Sequence, residues 1–104
     1  PRSSSAASDV YKRQLYIHEK NMFIITEPLN GEPATGGNGT TIGFSVPDTQ
    51  TGDAWHQAGI ENGGVTCEEP PGIRDVKKYV GYDMYLAYLK DPSGNKLCAL
   101  KRMT

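Results

Sequence analysis

Tyr82-Asp-Met-Tyr-Leu-Ala-Tyr-Leu-Lys90, then Asp91-Pro-Ser-Gly-Asn95, then Lys96-Leu-Cys-Ala-Leu-Lys-Arg-Met103, is the stretch that decides the fold. The first run is apolar at both parities, as in a strand covered on both sides. The second is a strong turn: proline suits its second position, and glycine or asparagine accepts positive φ. The third reads as a strand returning from that turn. Together they predict an antiparallel hairpin.

Working outward, Thr40-Thr-Ile-Gly-Phe-Ser-Val46 alternates, with Ile42, Phe44 and Val46 on one face, and predicts a strand that Pro47 and Asp48 end. A helix is expected next. Asp48 or Thr49 can cap its N-terminus by accepting from free backbone N–H groups. Trp55, Gly59 and Ile60 share one face, and Gly63-Gly64 supplies a left-handed stop. Gly52 and Gly59 weaken such a helix, so packing must hold it. A short strand near 66–68 and a loop over 69–75 lead to the hairpin. From residue 40 the order is strand, helix, strand, strand, strand. This is an α+β layout, a βαβββ unit with one helix against a curved sheet. Upstream, Leu15-Tyr-Ile-His18 and Met22-Phe-Ile-Ile-Thr26 are β-rich runs separated by Glu19-Lys-Asn21, a hairpin or a broken strand. The segment 28–38, rich in proline, glycine and asparagine, reads as a loop.

Twelve glycines and seven prolines in 104 residues argue against a helical bundle. Eleven basic and twelve acidic residues leave a formal charge of −1. That balance argues against nucleic acid or an anionic membrane as the main partner. No apolar run approaches the ~20 residues of a membrane span. Residues 1–14 show no apolar periodicity, and Asp9-Val-Tyr-Lys-Arg-Gln14 looks like a translated sequencing-adapter end. They are expected to be a non-native or disordered leader.

Three features now combine: Gly37-Asn-Gly39 ahead of a strand, Trp55-His56 in a helix ending at Gly63-Gly64, and Tyr85-Leu-Ala-Tyr-Leu-Lys-Asp-Pro-Ser-Gly-Asn95. In this combination the sequence resembles the glyoxalase/bleomycin-resistance/dioxygenase family, the vicinal-oxygen-chelate superfamily, over residues 15–104. The resemblance implies two βαβββ modules whose sheets form a U-shaped cup around a ligand. The second module is complete over 38–104. The first is reduced to its last strands, 15–27, joined by the linker loop 28–37. An N-terminally truncated member is the expectation.

Metal-dependent members use His and Glu ligands on the first and last strands of each module. The resemblance aligns Thr41 with the second module's opening ligand and Cys98 with its closing one. Threonine is a poor divalent ligand, and a single cysteine is not a site. Glu27, at the end of the first module's last strand, is a weak metal candidate beside the plainer reading of a solvated glutamate. No cofactor is therefore evident, and a divalent metal is expected only in a full-length parent. His18 and His56 read as packing or surface hydrogen-bonding residues. In the family's sheet, two strand spacings, ~9.5 Å, separate Cys67 from Cys98, beyond the ~7 Å reach of a disulfide. Free thiols fit a reducing cytosol, so a cytoplasmic location is expected. Thr41, Tyr85, Tyr88 and Cys98 are the ligand-pocket candidates, although strand alternation sends only one of Tyr85 and Tyr88 into the cup. Arg74 with Lys77-Lys78 forms a small basic cluster that would draw an anion or simply be solvated.

Three functions follow. The first is a small-molecule-binding family member without the complete metal site. The second is a metal-dependent lyase or ring-cleaving dioxygenase whose ligands lie partly in the missing segment. The third is a non-enzymatic interaction module. The expected partners are a small-molecule ligand and a second copy of the chain, with no nucleic acid and no membrane.

Overall fold

The computed structural model describes residues 13–103, in two compact units that divide after Ala34. In the first, β1 (Arg13–His18) and β2 (Asn21–Thr26) pair antiparallel, with His18 opposite Asn21. The intervening turn is the tight hairpin kind, and Glu19 takes its left-handed conformation at φ 56°. Of the expected leader, residues 1–12 lie outside the described residues. Arg13 and Gln14, set apart with it, belong to β1, because β2 is long enough to offer them Thr26 and Ile25 as backbone partners. Met22, Ile24 and Ile25 stay about half exposed, since a two-stranded ribbon has no core of its own.

The second unit runs β3 (Thr41–Ser45), α1 (Thr49–Glu61), β4 (Val65–Thr66), β5 (Gly72–Arg74), α2 (Lys77–Val80), β6 (Met84–Lys90) and β7 (Lys96–Arg102). The sheet order is β3-β7-β6-β4, with β5 also on β6. β3 lies parallel to β7, and every other pairing in this sheet is antiparallel. The βαβββ order is therefore present, with the module's first and last strands adjacent.

Local chemistry explains the element ends. Asp91 Oδ1 accepts from the backbone N–H groups of Ser93 (3.0 Å) and Asn95 (2.8 Å), and Gly94 sits at φ 90°. Asp48 Oδ1 caps α1 by accepting from Thr51 N–H at 2.7 Å. Past the helix, Gly63 turns left-handed (φ 96°) and Gly64 N–H donates to Gly59 O. The side-chain bond from Thr51, with its backbone bond, holds the Asp48 carboxyl below its ordinary 3.8. A depressed carboxyl stabilises the fold above its unfolded value and loses that contribution as pH falls through the folded one. Helical signal is thus expected to weaken below pH 3.8 in the parent. Asp48→Asn, which still caps but does not titrate, should remove this share of the acid dependence in a circular dichroism titration.

One expectation is corrected between residues 65 and 80. The short strand ends at Thr66 rather than at residue 68, and residues 72–74 form β5 rather than loop. Proline has no N–H for a ladder, so Pro70-Pro71 splits one edge strand into two pieces. β4 faces Leu89 and Lys90, and β5 faces Met84 to Leu86. The residues between them leave the sheet, with Glu68 left-handed at φ 58°.

The core lies between α1 and one face of β6 and β7. Tyr85, Ala87, Leu89 and Ala99 are buried there, flanked by Val46, Trp55 and Met103. Phe44 from β3 meets Trp55 at 6.4 Å between ring centroids. The glycines that weaken α1 are what let it approach. A Cβ at Gly52 would run into the Tyr85 ring, and one at Gly59 into Leu89.

Candidate functional site

With Tyr85, Ala87 and Leu89 turned to the helix, alternation puts Met84, Leu86 and Tyr88 on the opposite face of β6. The register carries that face across the sheet. Tyr88 stands opposite Cys98, and Leu86 opposite Leu100. Cys98 stands opposite Gly43, so Thr41, Gly43 and Ser45 share the face on β3. A Cβ on Gly43 would meet Leu100 at 2.7 Å and Cys98 Sγ at 3.5 Å. The floor is thus Leu86, Tyr88, Cys98 and Leu100, all half-buried except the buried Cys98.

Polar groups border it. Lys96, at the start of β7, pairs with the Glu68 carboxylate. The two residues come from elements on either side of β6. The Lys96 ammonium also lies 5.3 Å from the centroid of the Tyr88 ring. The hydrogen bond to Glu68 raises the Lys96 pKa, so it stays charged. Burial first, then Cys98 and Glu68, raise the Tyr88 phenol above its ordinary value. Arg74 donates to Glu69 O (3.2 Å) and Pro70 O (2.7 Å) and so clamps the loop that follows Glu68.

The four expected pocket residues part company. Thr41, Tyr88 and Cys98 share this face. Tyr85 does not: its ring is under α1, and its hydroxyl donates to Asp53 Oδ1 at 2.7 Å. Thr41 is opposite Lys96, not Cys98, so these two are diagonal neighbours rather than side by side. Glu27 is in the first unit, where it helps line a depression of about 630 Å3 with Arg13, Ile25 and Pro33. His56 meets Thr66 Oγ1 at 3.1 Å, and His18 lies 3.9 Å from Glu19. The expected basic cluster disperses: Lys77 pairs with Asp83 at 3.7 Å, Lys78 lies over Tyr79, and Arg74 holds its loop. Glu68 and Lys96 were not anticipated. Lys96 was legible, being two residues from Cys98 on the same strand. Glu68 was not, because its direction depends on a left-handed residue at the strand break.

Both cysteines are free. Burial raises the Cys98 thiol, first of all, so it stays protonated at neutral pH. Iodoacetamide at pH 8 is expected to label the half-buried Cys67 first and Cys98 only in denaturant. Mass spectrometry of the digested protein reads this; equal labelling of both in the native protein would contradict it.

A solved structure of a glyoxalase/bleomycin resistance protein from Albidiferax ferrireducens T118 matches with a TM-score of 0.84 and 50% identity. The match covers 95% of this chain and 76% of that one. The chain belongs to the glyoxalase/bleomycin-resistance family. A hypothetical protein from S. aureus shares the fold at 19% identity and a TM-score of 0.68, over 94% of this chain and 75% of that one. No family model matches, and a search of curated proteins finds no match. As a family member the chain has the vicinal-oxygen-chelate architecture. The two positions that the resemblance aligns with the family's ligands carry a threonine hydroxyl and a single cysteine thiol, a donor set that does not fit a divalent metal. Among the described residues no three His, Cys, Asp or Glu side chains come together. No helix among them is long and apolar enough to cross a membrane.

Proposed function

We propose that this glyoxalase/bleomycin-resistance protein binds a small organic molecule on the sheet face turned away from α1, without metal chemistry at Thr41 and Cys98, as a cytoplasmic homodimer. The observation that carries this reading is the composition of that face. It has a half-buried apolar floor of Leu86, Leu100 and the Tyr88 ring, bordered by the Glu68–Lys96 pair and Thr41. An apolar floor with few polar groups at its edge is what a small-molecule site requires. Dimer formation is supported by the exposed apolar side chains of β1 and β2, Ile24 and Ile25 among them.

The test is a fragment screen by amide-resolved NMR on the purified chain. Saturable shifts confined to Thr41, Leu86, Tyr88, Lys96 and Cys98 are expected. Scattered or absent shifts would overturn the reading. Titration with nickel or zinc in the same tube is expected to give no stoichiometric uptake. Tight one-to-one uptake would instead favour the metal-dependent lyase or dioxygenase. Light scattering at high concentration reads the dimer.

A further inference from the structure

The Glu68–Lys96 pair does more than edge the site. Glu68 reaches from the strand break on one side of β6, Lys96 from β7 on the other, and the ammonium lies over the ring of Tyr88 on the strand between. The pair is a strap across β6 above the tyrosine.

The strap opens more easily at one end. Lys96 has two attractions, the Glu68 carboxylate and the Tyr88 ring, and it projects from a seven-residue strand paired on both edges. Among the described residues Glu68 pairs with Lys96 alone; it is the more exposed of the two (45% against 30%) and sits on a non-glycine backbone in the left-handed region. Such a conformation is strained for an L-residue and persists only where its surroundings hold it. A ligand cation would have to displace Lys96 and forfeit both of its contacts. A ligand anion displaces only Glu68 and leaves Lys96 over Tyr88 with its charge still compensated.

We infer that Lys96 is the anion receptor of this face and Glu68 its displaceable stand-in, so that the site selects planar molecules carrying a carboxylate or similar anion. The inference rests on the small-molecule reading of the same face. The ring of such a ligand lies on the apolar floor beside Tyr88, and its carboxylate takes the place of the Glu68 carboxylate on the Lys96 ammonium. Arg74 does not compete for the anion, because its guanidinium is engaged with the carbonyls of Glu69 and Pro70.

The test compares benzoate with benzamide, a neutral molecule of the same shape, by NMR titration of the parent chain and three variants. Lys96→Met is expected to weaken benzoate roughly tenfold or more, the scale of a lost charge-assisted hydrogen bond, and to leave benzamide unchanged. Lys96→Arg should restore benzoate binding. Glu68→Gln should tighten benzoate several-fold, since the competing carboxylate is gone, and again leave benzamide unchanged. The dispersion of the amide spectrum confirms that each variant is folded, and Glu68→Gln decides the matter if Lys96→Met is not. Benzoate binding that is indifferent to Lys96, or weakened by Glu68→Gln, overturns the inference while benzamide binding leaves the small-molecule site standing. Binding of neither probe to the parent chain overturns both.

Discussion

Replacing Tyr85 by alanine is expected to remove about 3–5 kcal/mol of folding stability. A domain of this size has roughly 5–15 kcal/mol in all, so the variant should be close to unfolded at ordinary temperature. The ring is 2% exposed and fills the space under α1 at the centre of the core. Nothing around it can collapse inward without moving the helix. Tyr85→Phe keeps the ring and loses the bond to Asp53, which stays exposed and can turn to water, so about 1 kcal/mol is expected. Urea melts of the two variants separate the ring from the hydroxyl, and equal losses would contradict this account. Burial first, and the Asp53 bond second, push the Tyr85 phenol well above its ordinary 10.0. Its contribution is therefore complete below pH 10 and declines as pH rises above that value.

Gly52→Ala is the second large effect, and its sign is opposite to the usual one. In an exposed helix interior the change stabilises by about 1 kcal/mol. Here the new Cβ meets the ring of Tyr85, with Cζ and Oη both at 2.7 Å from it. An aromatic ring wedged in a core cannot step aside, so a loss of about 1–3 kcal/mol is expected from overpacking. Gly59→Ala makes a useful contrast. Its Cβ meets the end of the Leu89 side chain, which can rotate, so the loss should be smaller. Thermal melts of the two variants check the ranking; a stabilised Gly52→Ala would mean that α1 does not lie on Tyr85 as described.

The parts legible in the sequence were those where a residue type forces a backbone shape. The 91–95 turn, the Asp48 cap and the Gly63 stop each follow from one side chain or from its absence. The βαβββ order followed from where apolar runs are interrupted, whereas the same interruption upstream left a hairpin and a broken strand both open until β1 and β2 were seen to pair. Three things were hidden. β5 is three residues long beside two prolines, too short to show a period. The direction in which β6 faces was hidden because both of its parities are apolar, so Tyr85 and Tyr88 could not be told apart before the helix was placed. Glu68 was hidden because it reaches the site through backbone conformation, not spacing. The helix glycines were read correctly as weak points, but their use as the surface that receives Tyr85 and Leu89 needed the partner strand.

The pairing of β3 with β7 has a kinetic meaning. β6 and β7 are joined by five residues, whereas Thr41 and its partner Lys96 are 55 positions apart (96 − 41). Closing the longer loop costs about 2 kcal/mol more in chain entropy. The β6–β7 hairpin is therefore expected to form before the seam between β3 and β7 closes. Amide hydrogens of β3 should accordingly exchange faster than those of β6, through local opening rather than global unfolding. Thr41 and Gly43 then belong to a part of the candidate site that breathes, against the steadier wall formed by Tyr88 and Cys98.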